Sequence, residues 1–219
     1  MSRDAARTDI LFALHQGLSD APPEAVAVPD KPASIPVGPD AWERLNAFYE
    51  SLGVRLRLAK TPAEAATLVA ETAREHKAAS YVRWNDLPDG LAAACDAALA
   101  GLERLDAAKR ADLARADMGI TGAQAAFLDS GSIALSAAVD RQRAASLLPP
   151  MHVCLLPRRV LLPDISALPE LLRGCRDAKG LPSCLNLVTG PSSTADIELM
   201  LVRGVHGPGV LEVIGLDWE

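Results

Sequence analysis

The stretch TGPSSTADIELMLVRGVHGPG, residues 189–209, collects hydroxyls, carboxylates, an imidazole and turn-forming residues in one short segment. Ser193 and Asp196 have the spacing of a capping box, and Ile197 and Leu201 follow at helical spacing. The preceding LNLVTG has the pattern of a buried strand. We therefore expect a strand, a tight turn and a helix that begins near Ser193, an arrangement whose free amides attract anions.

This strip supplies most of the candidate ligand-binding residues. His206 lies in VHGPG, where two glycines allow the backbone to approach a ligand closely. Capping and turn geometry alone would also account for much of the pattern, and the segment is neither a Walker loop nor a G-x-G-x-x-G motif. The candidates in the strip are Gly190, Ser192, Ser193, Thr194, Asp196 and His206.

A second group of candidates precedes the strip. Asp129, Ser130 and Gly131 interrupt an apolar pattern and either line the same cleft or form a turn that needs glycine. Arg143 offers a cation for a carboxylate or phosphate, unless it is an ordinary solvated charge. His152 lies in an apolar run and is interpreted as a satisfied core or edge histidine. No catalytic triad is supported, since no G-x-S-x-G elbow is present. No metal site is supported either, since Asp196 and Glu198 would point to different faces of the expected helix.

Composition excludes several classes of protein. The net charge of −6 and the pI of about 5.3 argue against a broad nucleic-acid-binding surface. The longest apolar runs fall short of the roughly 20 residues of a membrane span. The amino-terminal segment lacks the apolar core of a secretion signal, so we expect a cytoplasmic protein. The four cysteines have no C-x-x-C spacing, which predicts no zinc or iron–sulfur site in this chain.

Helical and strand patterns alternate through the chain. This alternation predicts an open, mostly parallel α/β sheet with helices on both faces. A helix over residues 3–18 and a proline-rich linker form a segment 1–39, followed by one α/β domain over 40–219. Further helices are expected at 40–52, 61–76, 88–102, 121–126 and 166–177, and strands at 54–58, 79–84, 133–137, 151–156, 158–163, 185–190 and 210–216.

Three segments resemble the lactate-utilisation branch of the LUD-domain family. They are MGITGAQAAFLDSGSIAL (118–135), RQRAASLLPPMHVCLLP (141–157) and TGPSSTADIELMLVRGVHGP (189–208). One departure is Asp129-Ser130-Gly131, where the family more often has Glu-Thr-Gly. The resemblance implies a fold like that of ribose-phosphate isomerase, glucosamine-phosphate deaminase and CoA-transferase. It also implies a role in oxidising L-lactate to pyruvate beside two partner proteins, one of which carries iron–sulfur clusters.

Two functions from different classes follow. The first is a non-redox subunit or accessory of a lactate-oxidising complex, which binds no cofactor itself and holds a partner or a small carboxylate or phosphate-like anion. The alternative is a transferase or ligase that acts on a phosphorylated or CoA-linked small acid, as the fold resemblance allows. A sensor or scaffold that binds a metabolite without turnover also fits the residues.

Overall fold

The computed structural model describes residues 3–19, 34–176, 180–195 and 201–218. The chain divides into two units, residues 1–33 and 34–219. In the first unit the expected helix is present as Arg3–Ser19, with the side chains of Ile10, Leu11 and Leu14 exposed. Most of the expected linker lies outside the described residues, and its boundary at residue 39 stays a prediction. Among the described helices, none is both long enough and apolar enough to span a bilayer.

The described residues of the second unit form twelve strands and five α-helices. The strands are β1 (Arg55–Ala59), β2 (Ser80–Arg83), β3 (Glu103–Arg104), β4 (Met118–Thr121), β5 (Ala125–Phe127), β6 (Ile133–Ser136), β7 (Met151–Pro157), β8 (Leu161–Leu162), β9 (Leu185–Val188), β10 (Ser193–Ala195), β11 (Leu201–Arg203) and β12 (Val210–Leu216). With Arg3–Ser19 as α1, the helices are α2 (Ala41–Leu52), α3 (Pro62–Glu75), α4 (Leu91–Ala98), α5 (Arg110–Arg115) and α6 (Leu168–Gly174).

Six strands form a parallel sheet in the order β1-β12-β7-β4-β2-β3. Helices cover both faces, as the sequence predicts. Glu212 of β12 accepts a hydrogen bond from Thr72 of α3 (2.7 Å). Three residues later, on the opposite face of the strand, Gly215 lies against Trp42 of α2, and a Cβ at this position would come within 2.9 Å of the indole. The mostly parallel α/β architecture is therefore confirmed.

A smaller sheet of four strands, in the order β8-β5-β6-β9, contains mixed pairings. Strand β9 pairs antiparallel with β6, so the turn after Val188 lies beside the loop that precedes Ile133. Strands β10 and β11 form a separate antiparallel pair. This sheet and pair position the segments around residues 130, 190 and 206.

Two helix predictions made from the sequence are wrong. The expected helix at 121–126 is replaced by the ends of β4 and β5, both fully buried. A short alanine-rich run is compatible with a buried strand as well as with a helix. Here hydrogen bonding to the neighbouring strands favours the strand. The expected helix start at Ser193 is instead β10, which pairs with β11. Capping and spacing are local signals, whereas this pairing is set by a segment further along the chain.

Other elements differ from the prediction mainly in their ends. Thr61 caps α3 as expected, accepting from the Glu64 amide (3.1 Å). Asp40 precedes α2 but makes no side-chain cap bond. Helices α4 and α6 are shorter than predicted, because each begins with a 3-10 turn. Strand β1 combines exposed and partly buried side chains, but not in strict alternation, since Arg57 donates to the Leu68 carbonyl of α3 while Leu58 is exposed.

Candidate functional site

A cavity of about 200 Å³ lies at the amino-terminal ends of β7 and β12. His152 of β7 and Leu211 of β12 are paired neighbours in the sheet and form one wall. The turn after β9, the loop 204–209 and the 3-10 turn Arg143–Ser146 complete it. The sequence predicts ligand binding at the carboxyl end of a strand. In the structure this is true of β9, whereas β7 and β12 contribute their amino-terminal ends to the cavity.

Close backbone approaches shape this cavity. Gly119 of β4 lies under the turn at Ala145, and a Cβ there would be 1.8 Å from the Ala145 carbonyl oxygen. Ser192 donates its amide to the Pro208 carbonyl (2.8 Å) and accepts from the Gly204 amide (2.9 Å). A Cβ on Gly207 would lie 3.3 Å from the Ser192 Cβ. The small size of glycine at position 207 therefore lets the two loops lie close together without displacing Ser192.

Four backbone amides at the cavity have no hydrogen-bond acceptor among the described residues. They belong to Thr189, Gly190, His206 and Gly207, all of which line the cavity. Successive free amides in turns form concave sites that attract anions. Residues 193–195, where the predicted helix would begin, form β10 instead, but the turn after β9 still presents free N–H groups.

A chain of hydroxyls connects the loop before β6 to the cavity. Ser130 Oγ donates to Ser132 Oγ (3.0 Å), and Ser132 Oγ is 2.8 Å from Thr189 Oγ1. Because the Ser132 oxygen accepts from Ser130, its own hydrogen is available for Thr189. The Thr189 hydroxyl hydrogen is then free to point towards a ligand in the cavity, which Thr189 lines.

His152 is 1% exposed and lies at the base of the cavity. Its Nε2 is 2.8 Å from Thr121 Oγ1. Burial lowers the pKa of His152 from its usual 6.5 to about 4, so the imidazole is neutral at pH 7. Its Nδ1 has no partner among the described residues. His152 is therefore a buried strand histidine, as the sequence predicts. It also lines a cavity, which the sequence does not predict.

The cavity lining contains polar side chains and apolar walls. Its polar side chains are Ser146, His152, Thr189, Ser192 and His206. Among the described residues that line it, none is an aspartate, glutamate, lysine or arginine. An oxyanion placed here would meet hydrogen-bond donors and no competing carboxylate.

The structure brings some sequence candidates together. Gly190, Ser192 and His206 line the cavity, and Ser130 reaches it through the hydroxyl chain. Gly131 has a left-handed backbone (φ +70°) and packs against α2. Glycine is therefore required by the turn, which is the structural alternative considered above.

Other candidates lie elsewhere. Asp129 is exposed and accepts from the Ile165 amide (3.3 Å). Ser193 is exposed, and its hydroxyl donates to the Pro191 carbonyl (3.2 Å) instead of accepting from a helical amide. Thr194 lies within β10, and Asp196 falls outside the described residues. Arg143 lines a different cavity, where its guanidinium is 3.7 Å from Cys184 Sγ.

A group of carboxylates and a histidine lies on the opposite face of the sheet. Single ligand atoms of Glu75, His76 and Glu212 lie within 4.8 Å of one another. However, Glu212 is 3% exposed and is bound by the guanidinium groups of both Arg55 and Arg57. Two cations already neutralise this carboxylate, so the group is an ion-pair network that joins β1, β12 and α3.

Comparison with known proteins identifies the family. The LUD domain model matches residues 43–215. The chain belongs to the LUD-domain family. A LUD-related crystal structure, a DUF162 family protein from Deinococcus radiodurans, superposes with a TM-score of 0.52 at 23% identity, covering 81% of this chain and 97% of that one. This likeness supports the fold.

Two relatives in the LUD-domain family are named Lactate utilization protein C. The protein from Exiguobacterium sp. (strain ATCC BAA-1283 / AT1b) is 44% identical over 95 residues, which are 43% of this chain and 41% of the relative. The protein from Bacillus subtilis (strain 168) is 37% identical over 95 residues, or 43% of this chain and 40% of the relative. The matched segments thus span about two-fifths of these relatives.

Sequence reasoning does not single out Thr189, which lines this LUD-domain cavity, or Thr121, which contacts His152 behind it. The sequence places Thr189 in a strand and Thr121 at the start of an expected helix. A hydroxyl residue directly before Gly190 was a usable signal for Thr189. Nothing local connects Thr121 to His152, which is 31 positions away and adjacent only through the pairing of β4 with β7.

Proposed function

We propose that this chain serves lactate utilisation as a non-redox subunit, holding a small carboxylate in the cavity at His152 beside partner proteins that carry iron–sulfur clusters. The observation that carries the binding part is a lining of hydrogen-bond donors that includes no aspartate, glutamate, lysine or arginine among the described residues. Family membership and the names of the two relatives support the lactate part.

The geometry indicates how a carboxylate would be held. The free amides of Gly190 and Gly207 and the hydroxyls of Thr189 and Ser192 supply hydrogen bonds to its oxygens. Hydrogen bonds to a charged acceptor contribute about 1.5–3 kcal/mol each. The apolar walls, such as Leu147 and Leu211, suit a short carbon skeleton and exclude water from one side.

Cavity size separates this proposal from a transferase or ligase that acts on CoA-linked acids. The volume of about 200 Å³ is below the roughly 300–1,000 Å³ of pockets that enclose drug-sized ligands. Thermal-shift measurements with L-lactate, pyruvate, CoA esters, sugar phosphates and ATP test this. Stabilisation by L-lactate or pyruvate is expected. Stabilisation by CoA esters or sugar phosphates alone would favour the transferase.

Reconstitution tests the role in lactate oxidation. Iron–sulfur partner proteins from the same source organism are assayed for lactate-dependent reduction of an acceptor dye, with and without this chain. We expect the chain to raise the rate, and the Ser192→Ala variant to restore less of it than Ser193→Ala, whose hydroxyl lies outside the cavity lining. Equal rates with and without the chain would contradict the proposal.

A further inference from the structure

The base of the cavity holds a histidine whose tautomer is set by a neighbour. Thr121 and His152 are both buried, and a single hydrogen bond of 2.8 Å joins Thr121 Oγ1 to His152 Nε2. A neutral imidazole has one donor and one acceptor nitrogen. The direction of this one bond therefore decides what the other nitrogen offers.

The Thr121 hydroxyl hydrogen has one strong acceptor within reach. Among the described residues, the Thr121 hydroxyl lies 2.8 Å from His152 Nε2, and the nearby sulfur of Cys154 is a weak acceptor. If Nε2 carried the hydrogen, the Thr121 hydroxyl would have to point at that sulfur. The stronger arrangement is donation from Thr121 to Nε2, which leaves the hydrogen on Nδ1.

Other titratable groups near Thr121 and His152 do not compete for the hydrogen bond between these two residues. Burial raises the pKa of Cys154 to about 12, and burial raises the pKa of Tyr49 well above its usual value. Both groups are therefore neutral at pH 7. The imidazole of His206, which also lines the cavity, belongs to an exposed residue. No acidic side chain among the described lining residues faces His152.

We propose that Thr121 is a positioning residue that holds His152 as its Nδ1–H tautomer, and that this donor makes the cavity select small acids with an oxygen on C2 against 2-amino acids. The inference rests on the proposed function and specifies its substrate class. A 2-hydroxy or 2-oxo group can accept from Nδ1–H. An ammonium group in the same place would face a donor and find no carboxylate, and a buried unpaired charge is costly.

Imidazole nitrogen NMR on the full chain tests the tautomer without any ligand. In ¹⁵N-labelled protein at pH 7, we expect the His152 signals of the Nδ1–H form. The Thr121→Ser variant keeps the hydroxyl and should keep this pattern, whereas Thr121→Val removes the donor and should shift the equilibrium towards Nε2–H. A wild-type His152 in the Nε2–H form would overturn the inference whatever the chain binds.

Calorimetric titration tests the selectivity with three probes of similar size: L-lactate, pyruvate and L-alanine. We expect L-alanine to bind at least about 10-fold more weakly than L-lactate. Comparable binding of L-alanine would overturn this inference and leave the proposed function standing. Failure of L-lactate and pyruvate to bind would instead overturn the proposed function, and the selectivity with it.

Two variants of His152 locate the donor. Asparagine can place its amide near the position of Nδ1, whereas glutamine reaches the position of Nε2. We expect His152→Asn to bind L-lactate more tightly than His152→Gln. The reverse order would mean that the Nε2 side carries the recognition and would contradict the proposal. Melting temperatures of both variants confirm that each is folded.

Discussion

Individual hydroxyls around residue 192 differ in what they can do. Ser192 lines the cavity and its Oγ has no partner among the described residues, while the adjacent Ser193 hydroxyl is exposed and bound to the Pro191 carbonyl. Of these two neighbouring serines, Ser192 can contact a ligand, whereas the Ser193 hydroxyl only stabilises the local turn. This contrast makes them a matched pair for mutagenesis.

The Ser192→Ala change removes one hydrogen bond to a carboxylate. We expect the dissociation constant for L-lactate to rise by about 10-fold, the equivalent of roughly 1.4 kcal/mol. Ser193→Ala should change binding less than 2-fold and, because no helix is capped there, leave stability within about 0.5 kcal/mol. Calorimetric titration and urea unfolding measure the two effects. Equal losses of affinity in both variants would remove Ser192 from the site.

At the scale of elements, the contact between β4 and the turn Arg143–Ser146 sets the shape of the cavity. Gly119 leaves no room for a side chain under Ala145. The same turn contributes Ser146, which donates to the Arg143 carbonyl (3.0 Å) and lines the cavity. Strand and turn must therefore pack closely before the site exists.

Gly119→Ala tests this packing. The new Cβ would overlap a backbone oxygen, so we expect a loss of about 3 kcal/mol in the free energy of unfolding, measured with urea. The control is Gly101→Ala, since a Cβ at Gly101 meets nothing within 4 Å and should change stability by less than about 0.5 kcal/mol. A Gly119→Ala protein as stable as the control would contradict the close packing.

How far the sequence predicts these elements depends on whether the signal is local. Thr61-Pro62 predicts the start of α3 because the cap lies within three residues of its partner amide. The run MHVCLLP predicts β7 because a buried strand needs a continuous apolar segment. Ser193 misleads, because its capping pattern is local while its pairing with Arg203 is not. Strand order, and with it the approach of Thr121 to His152, has no local signal.

At the scale of the whole molecule, the free energy of unfolding depends on pH, because some groups have a different pKa in the folded and unfolded states. The folded chain keeps His152 neutral down to about pH 4, whereas an unfolded histidine takes up a proton near pH 6.5. Between these values the unfolded state binds more protons, so stability falls as pH falls. The hydrogen bond from Arg83 similarly lowers the pKa of Asp96, which adds a loss at more acidic pH.

The expected loss from His152 between pH 6.5 and 4 is about 3 kcal/mol. Urea unfolding at several pH values from 7.5 to 4.0 measures it. The His152→Asn variant should show a shallower slope over this window, and His206→Asn, which changes an exposed residue, should follow the wild type. Parallel curves for wild type and His152→Asn would show that His152 is not the group that titrates.

The central claim is that the cavity at the amino-terminal ends of β7 and β12 holds a small carboxylate through free amides. Titration of ¹⁵N-labelled full chain with L-lactate, followed by amide NMR, tests it most directly. We predict that the amide signals of Thr189, Gly190, His206 and Gly207 shift together with one dissociation constant. A second cavity, of about 220 Å³, is lined by Arg83 and Arg104. Unchanged signals for these four amides at saturating L-lactate, or shifts confined to this second cavity, would contradict the claim.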